Sequence, residues 1–130
     1  MTLYSNLAAA LAAFDQAMGQ LSVENSVTAF TESDFSRTFQ PNGNAGSDHG
    51  WGSHALVMGG AVNGGNLYGG FPTLTLSGPD DSGSRGTWVP SISTDQYVGA
   101  LAKWFGLAQA DLDYVFPNLH NFGYQTPAFV

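Results

Sequence analysis

The chain has no cysteine, which removes disulfides, thiolate metal sites and cysteine nucleophiles at once. Charge is also scarce. Only 10% of the residues are Asp, Glu, Lys or Arg, and only three of these are basic. Arg37, Arg85 and Lys103 do not cluster in sequence, so a polyphosphate backbone finds few counter-charges and nucleic acid is not an expected partner. The net charge of -7 argues equally against an anionic membrane surface. No apolar run reaches the length of about 18 residues that a membrane span needs. The apolar segment Leu7–Phe14 has no Lys or Arg before it and is followed by Asp15 and Gln16, so it does not read as a signal peptide.

What remains is enough for one domain. At 130 residues with 43% apolar content, residues 1–130 read as a single globular domain. Leu3, Leu7, Leu11, Phe14, Met18 and Leu21 mark one face of an amphipathic helix packed on a core, with Thr2 or Ser5 as its cap and Gly19 at its end. Residues 26–31, SVTAFT, predict a strand buried on both faces. Residues 55–62 and 66–68 flank Asn63-Gly64-Gly65 and predict a hairpin. Residues 71–76 alternate and predict an edge strand, and residues 87–89 one last short strand. The stretch between, GPDDSG at 78–83, is a loop. Ser93-Thr94-Asp95-Gln96 is a capping box, so a helix runs from there to about Phe105 and stops at Gly106. Residues 109–114 predict a further short helix ended by Pro117.

The chemistry concentrates in residues 33–54, SDFSRTFQPNGNAGSDHGWGSH. Asp48 and His49 lie side by side among Gly43, Gly46, Gly50 and Gly52, where the backbone can approach a ligand closely. With His54 and Asp34 they form a candidate set for a divalent metal, and zinc, manganese and iron all accept mixed nitrogen and oxygen ligands. The plainer alternative for the Asp-His pair is a hydrogen-bonded turn. Asp34 follows the strand at 26–31, and ligand groups collect past the carboxyl ends of strands in open α/β sheets. It equally suits a turn cap or a partner for Arg37. Arg37 is a candidate for binding an anionic substrate oxygen, or for a salt bridge to Asp34 or Glu32. His120 reads as structural. No GxSxG elbow, phosphate-binding GxxxxGK[ST] or dinucleotide GxGxxG unit is present.

Taken together, FTESDFSRTF, NGNAGSDHGWGSHALVMGGAV, LYGGFPTL, RGTWVPSISTDQYVGALAKWFGL and VFPNLHNF resemble the C-terminal portion of the "domain of unknown function 1501" proteins. That family is grouped with the alkaline-phosphatase-like superfamily of phosphatases, sulfatases and phosphoglycerate mutases. The resemblance implies a partial alkaline-phosphatase-like α/β fold: two main helices packed on a short sheet, with a long glycine-rich loop system. It implies that Asp48 and His49 correspond to a metal-binding Asp-His pair, and that Asp34 and Arg37 match the acidic residue and arginine of an S-[DE]-F-G-R block. Ser36 departs from that block, where glycine is usual. The family's export signals imply a periplasmic or secreted protein. Family proteins are longer, and their nucleophile and part of their metal site come from an N-terminal region that this chain lacks. The expectation is therefore the C-terminal part of a hydrolase of phosphate or sulfate esters that is not catalytic alone, or else a non-catalytic assembly or ligand-binding module. A truncated sheet leaves an open edge and exposed apolar surface, so self-association or a partner chain completing the fold is expected.

Overall fold

Local signals decide the helices. The structure, a computed structural model, describes residues 2–130. Helix α1 spans Leu3–Gln20, and the Thr2 hydroxyl caps it by accepting from the Ser5 N–H. It does not stop at Gly19. The chain turns at Ser22, left-handed at φ 57°, while Ser22 N donates to Gly19 O and Val23 N to Met18 O. This paired bonding satisfies the last carbonyls of the helix with serine in the place usually taken by glycine.

Helix α2, Thr94–Phe105, has both halves of the expected box: Gln96 N donates to Ser93 Oγ, and Ser93 N to Gln96 Oε1. Gly106 ends it at φ 112°. After a 3-10 turn at Gln109–Asp111, helix α3 covers Leu112–Val115 and stops short of Pro117. A further 3-10 turn, Leu119–Phe122, follows.

Strand β1 is Thr28–Phe30 and pairs antiparallel with β2, Val57–Gly59, in the register Thr28↔Gly59, Ala29↔Met58 and Phe30↔Val57. The ladder runs on through Thr31 N to Leu56 O at 3.0 Å. Only glycine fits at 59, because a Cβ there would lie 2.5 Å from Val27 O. Among the described residues the fold is thus mixed α and β, with three α-helices and a two-stranded antiparallel sheet.

Several expectations change. β1 is half-buried to exposed, not buried on both faces. The hairpin at Asn63-Gly64-Gly65 does not form. Instead Asn63 N donates to Phe129 O, and Tyr68 Oη donates to Asn63 O, so the turn holds the C-terminal segment. Residues 71–76 are not a strand: Leu74 sits at φ 56°, and Thr73 N donates to the Asp80 carboxylate. The strand expected at 87–89 reduces to one bridge between Trp88 and Asp81.

The core is small. Ala100 and Leu101 of α2 pack with Phe129, and Val57, Tyr68, Tyr97 and Val130 surround them. Leu112 and Leu119 are fully buried close by, and Gly99 lies against Leu119. Tyr97 joins α2 to the sheet, its hydroxyl donating to Thr31 O and its ring meeting Phe30 edge-on. The expected packing of α1 on a core is largely missing. α1 buries no residue, and beside Leu11 lies only a cleft of about 40 Å³ lined by Ala29, Phe30, Thr31, Leu56 and Met58. A folded monomer of 13.7 kDa exposes about 6,600 Å². This chain exposes 8709 Å².

Candidate functional site

The loop that carries the candidate residues is closed by backbone pairing. Arg37 and His49 form an antiparallel bridge, flanked by Gly50 N to Ser36 O at 2.8 Å and Thr38 N to Asp48 O at 3.0 Å. Gly50 is required here, because a Cβ would overlap Ser36 Oγ and lie 3.1 Å from the Arg37 carbonyl carbon. Ser36, in the position where the resemblance expects glycine, survives because Gly50 opposite has no side chain. Its hydroxyl is nevertheless buried without a partner.

Inside the closed loop, Asn42 acts as the organiser. Its Oδ1 accepts from Asn44 N and Gly46 N, each at 3.0 Å, and its Nδ2 donates to Asp48 Oδ1 at 2.9 Å. The other Asp48 oxygen is held by Arg85 Nη1 in an ion pair, with both side chains more than a third exposed. The Asn42 amide, then Arg85, hold the Asp48 carboxyl below its usual range. His49 lies flat on Phe35, ring centroids 3.8 Å apart and planes 17° apart. The Arg37 guanidinium stands 5.0 Å from the same Phe35 ring and donates to Ser47 O. Neither salt bridge foreseen for Arg37, to Asp34 or to Glu32, forms: the one ion pair among the described residues is Arg85 with Asp48. Asp34 is exposed in the bend after β1, and His54 tilts against Phe71, ring centroids 5.3 Å apart.

The structure therefore brings Arg37, Asp48 and His49 onto one loop, with Phe35 beneath Arg37 and His49. It does not gather Asp34, Asp48, His49 and His54 into one donor set. Among the described residues no group of three or more His, Asp or Glu side chains is placed to hold a metal ion. The donors as arranged fall short of a full set: Asp48, whose oxygens also accept from Asn42 and Arg85, has at most one further His, Asp or Glu side chain placed with it.

Three residues that sequence reasoning left out complete the site. Besides Asn42 and Arg85 there is Asp81, which is buried and takes four backbone N–H groups: Ser77 and Gly86 on Oδ2, Gly83 and Thr87 on Oδ1. Burial pushes its carboxyl up, but these four donors outweigh it and hold the group at about 2. They fix the turn from which Arg85 projects. An Asp two residues before a glycine in GPDDSG was the available signal for the Gly83 bond, but not for the other three.

Residues 2–82 match the family model described as protein of unknown function (DUF1501). The match takes in α1, the sheet and all five candidate residues. It ends before Arg85 and α2, so the RGTWVPSISTDQY and VFPNLHNF blocks lie beyond it. No curated protein and no solved structure matches the chain.

Proposed function

The chain belongs to the DUF1501 family, and from that premise we propose that it is the C-terminal part of an alkaline-phosphatase-like fold. In this reading it is an assembly part of an exported phosphate- or sulfate-ester hydrolase, and it does not turn substrate over by itself. The observation that carries the reading is the surface. The chain exposes 8709 Å², some 2,100 Å² beyond the figure for a self-contained monomer of its mass. An interface of that order is the size found in obligate complexes. The exposed side chains are the kind such interfaces bury: Leu3 and Tyr4 are more than four-fifths exposed, and Leu7 and Phe14 follow along α1, with Leu21 just past its end. α1 carries a single charge, Asp15. The occupant of this surface is a partner chain completing the fold or a second copy.

In that assembly Arg37 is the residue suited to an anionic ester. It has no carboxylate partner among the described residues, and the Phe35 ring and Ser47 carbonyl fix its direction. Its remaining N–H donors suit a sulfuryl or phosphoryl oxygen. The zinc, manganese or iron chemistry of the superfamily needs a fuller donor set than this chain gathers, so no catalytic step is assigned to its residues. The same unpaired Arg37 favours a second reading, a non-catalytic module that binds an anionic ligand.

Small-angle scattering and sedimentation of the purified chain test the assembly. A self-contained monomer would have a radius of gyration of about 14 Å. We expect a larger particle or a dimer, with dye-accessible apolar surface. A monodisperse 14 Å monomer that binds no apolar dye would overturn the proposal. Hydrolysis of a generic phosphate or sulfate ester by the chain alone, abolished in Asp48→Ala, would show that it is a complete enzyme instead. Sulfate binding by a monodisperse monomer, lost in Arg37→Ala and without hydrolysis, would favour the second reading.

A further inference from the structure

The resemblance places a metal at Asp48. In the structure a guanidinium stands there, and the fold goes to some length to hold it. Arg85 Nη1 donates to Asp48 Oδ2, while Arg85 Nη2 donates to Pro41 O at 2.9 Å. The backbone ties the same two segments together, with Gln40 N to Arg85 O at 3.0 Å and Phe39 N to Gly86 O at 3.1 Å. The turn bearing Arg85 is knotted from beneath by the buried Asp81 carboxylate, through Gly83, Gly86 and Thr87. Phe39 and Trp88 pack edge to face beside it. Across the pair, Asn42 holds the other Asp48 oxygen and the turn of its own loop.

We infer that Arg85 is the resident cation of this loop: its guanidinium takes the place at Asp48 that a divalent ion takes in a metal site, and Asp48 staples residues 38–48 to residues 85–87 instead of ligating. The competition favours the arginine on three counts. A guanidinium keeps its charge at any pH a protein survives. It is delivered by a backbone already fixed at both ends, so it acts as an intramolecular partner. A divalent ion would have to displace the Arg85 guanidinium from Asp48 or sit beside its like charge. In return it would gain one carboxylate and one imidazole, short of the three protein ligands usual in a catalytic zinc site. The inference concerns the isolated chain and stands whether or not a partner covers α1.

The test is calorimetric titration of the full chain with manganese and with zinc up to about 1 mM, the weak end of the protein range, wild type beside Asp48→Asn. Thermal unfolding is then followed with and without chelator, adding Arg85→Gln and the double variant. We expect no metal binding that depends on Asp48 and no change in midpoint with chelator. We also expect the double variant to lose less than the sum of the two single losses, since both single variants break the one contact that Arg85 and Asp48 share. Zinc taken up equally by wild type and Asp48→Asn supports the inference, because that metal sits elsewhere. One-to-one binding weakened tenfold or more by Asp48→Asn would overturn it, and so would fully additive losses in the double variant. Should Arg85→Gln fail to fold, the titration of wild type against Asp48→Asn still decides.

Discussion

Gly86 offers the sharpest test of how the Arg85 turn is built. Two costs meet in Gly86→Ala. The residue lies at φ 79°, where an L side chain costs about 1–2 kcal/mol. The new Cβ would overlap Phe39 Cβ and lie 3.0 Å from Trp88 Cζ2 and 3.2 Å from Phe39 N, and crowding of that kind costs about 1–3 kcal/mol. The expected loss is therefore about 2–5 kcal/mol, from a total stability on the order of 10 kcal/mol. Gly43→Ala is the control. It sits in the same loop system, has nothing within 4 Å of the added carbon and does not need a positive φ. Its expected effect lies between neutral and a gain of about 1 kcal/mol from the stiffer unfolded chain. Urea unfolding followed by tryptophan emission reads both, since Trp88 is 8% exposed and abuts the mutated turn. The Gly86→Ala midpoint should fall by about 1 M or more. Coincident curves for the two variants would refute the close contact of residue 86 with Phe39 and Trp88, and with it the mounting of Arg85.

Ser93→Ala should cost about 1 kcal/mol by removing the acceptor for Gln96 N, and Ser93→Asp should restore most of it; equal losses in chemical denaturation would count against the box. Leu119→Ala, at a fully buried site against Gly99, should cost about 2–5 kcal/mol, read as a lower thermal midpoint with α2 loosened in hydrogen exchange. Asp81 sets a pH dependence. Its carboxyl sits at about 2 in the fold against the ordinary 3.8, so its contribution is complete above 3.8 and is lost as pH falls through 2. The acid limb of a stability-pH curve should flatten in Asp81→Asn, and an unchanged limb would dismiss Asp81 as the anchor of the turn.

How far the sequence could be read depended on the distance over which each feature is decided. The α2 capping box is settled within four residues, and it formed as read. The helical stripe of α1 was likewise legible, but its end was not, because Ser22 took the left-handed position without glycine. Asn63-Gly64-Gly65 satisfied a local hairpin rule, yet β2 found its partner in β1 and the turn was captured by Phe129. At the site, Asp48 and His49 stood out in the sequence. Their partners did not: Arg85 lies 37 residues from Asp48, and nothing in GPDDSG says that Asp81 also collects the N–H groups of Ser77, Gly86 and Thr87. The Phe35 ring under Arg37 and His49 is three-dimensional information of the same kind.

Phe129 bears on how the chain is made. It is 4% exposed, and its carbonyl closes the turn at Asn63. A ribosome releasing the chain from its N-terminus delivers α1, the sheet and the whole polar loop well before Phe129 emerges to seal the core around α2. Throughout that interval the apolar faces of β2 and α2 lack their keystone, while the glycine-rich loop can already form its own turns. Chaperone dependence should accordingly persist until this one aromatic ring is free to pack, however much of the chain is already outside the tunnel.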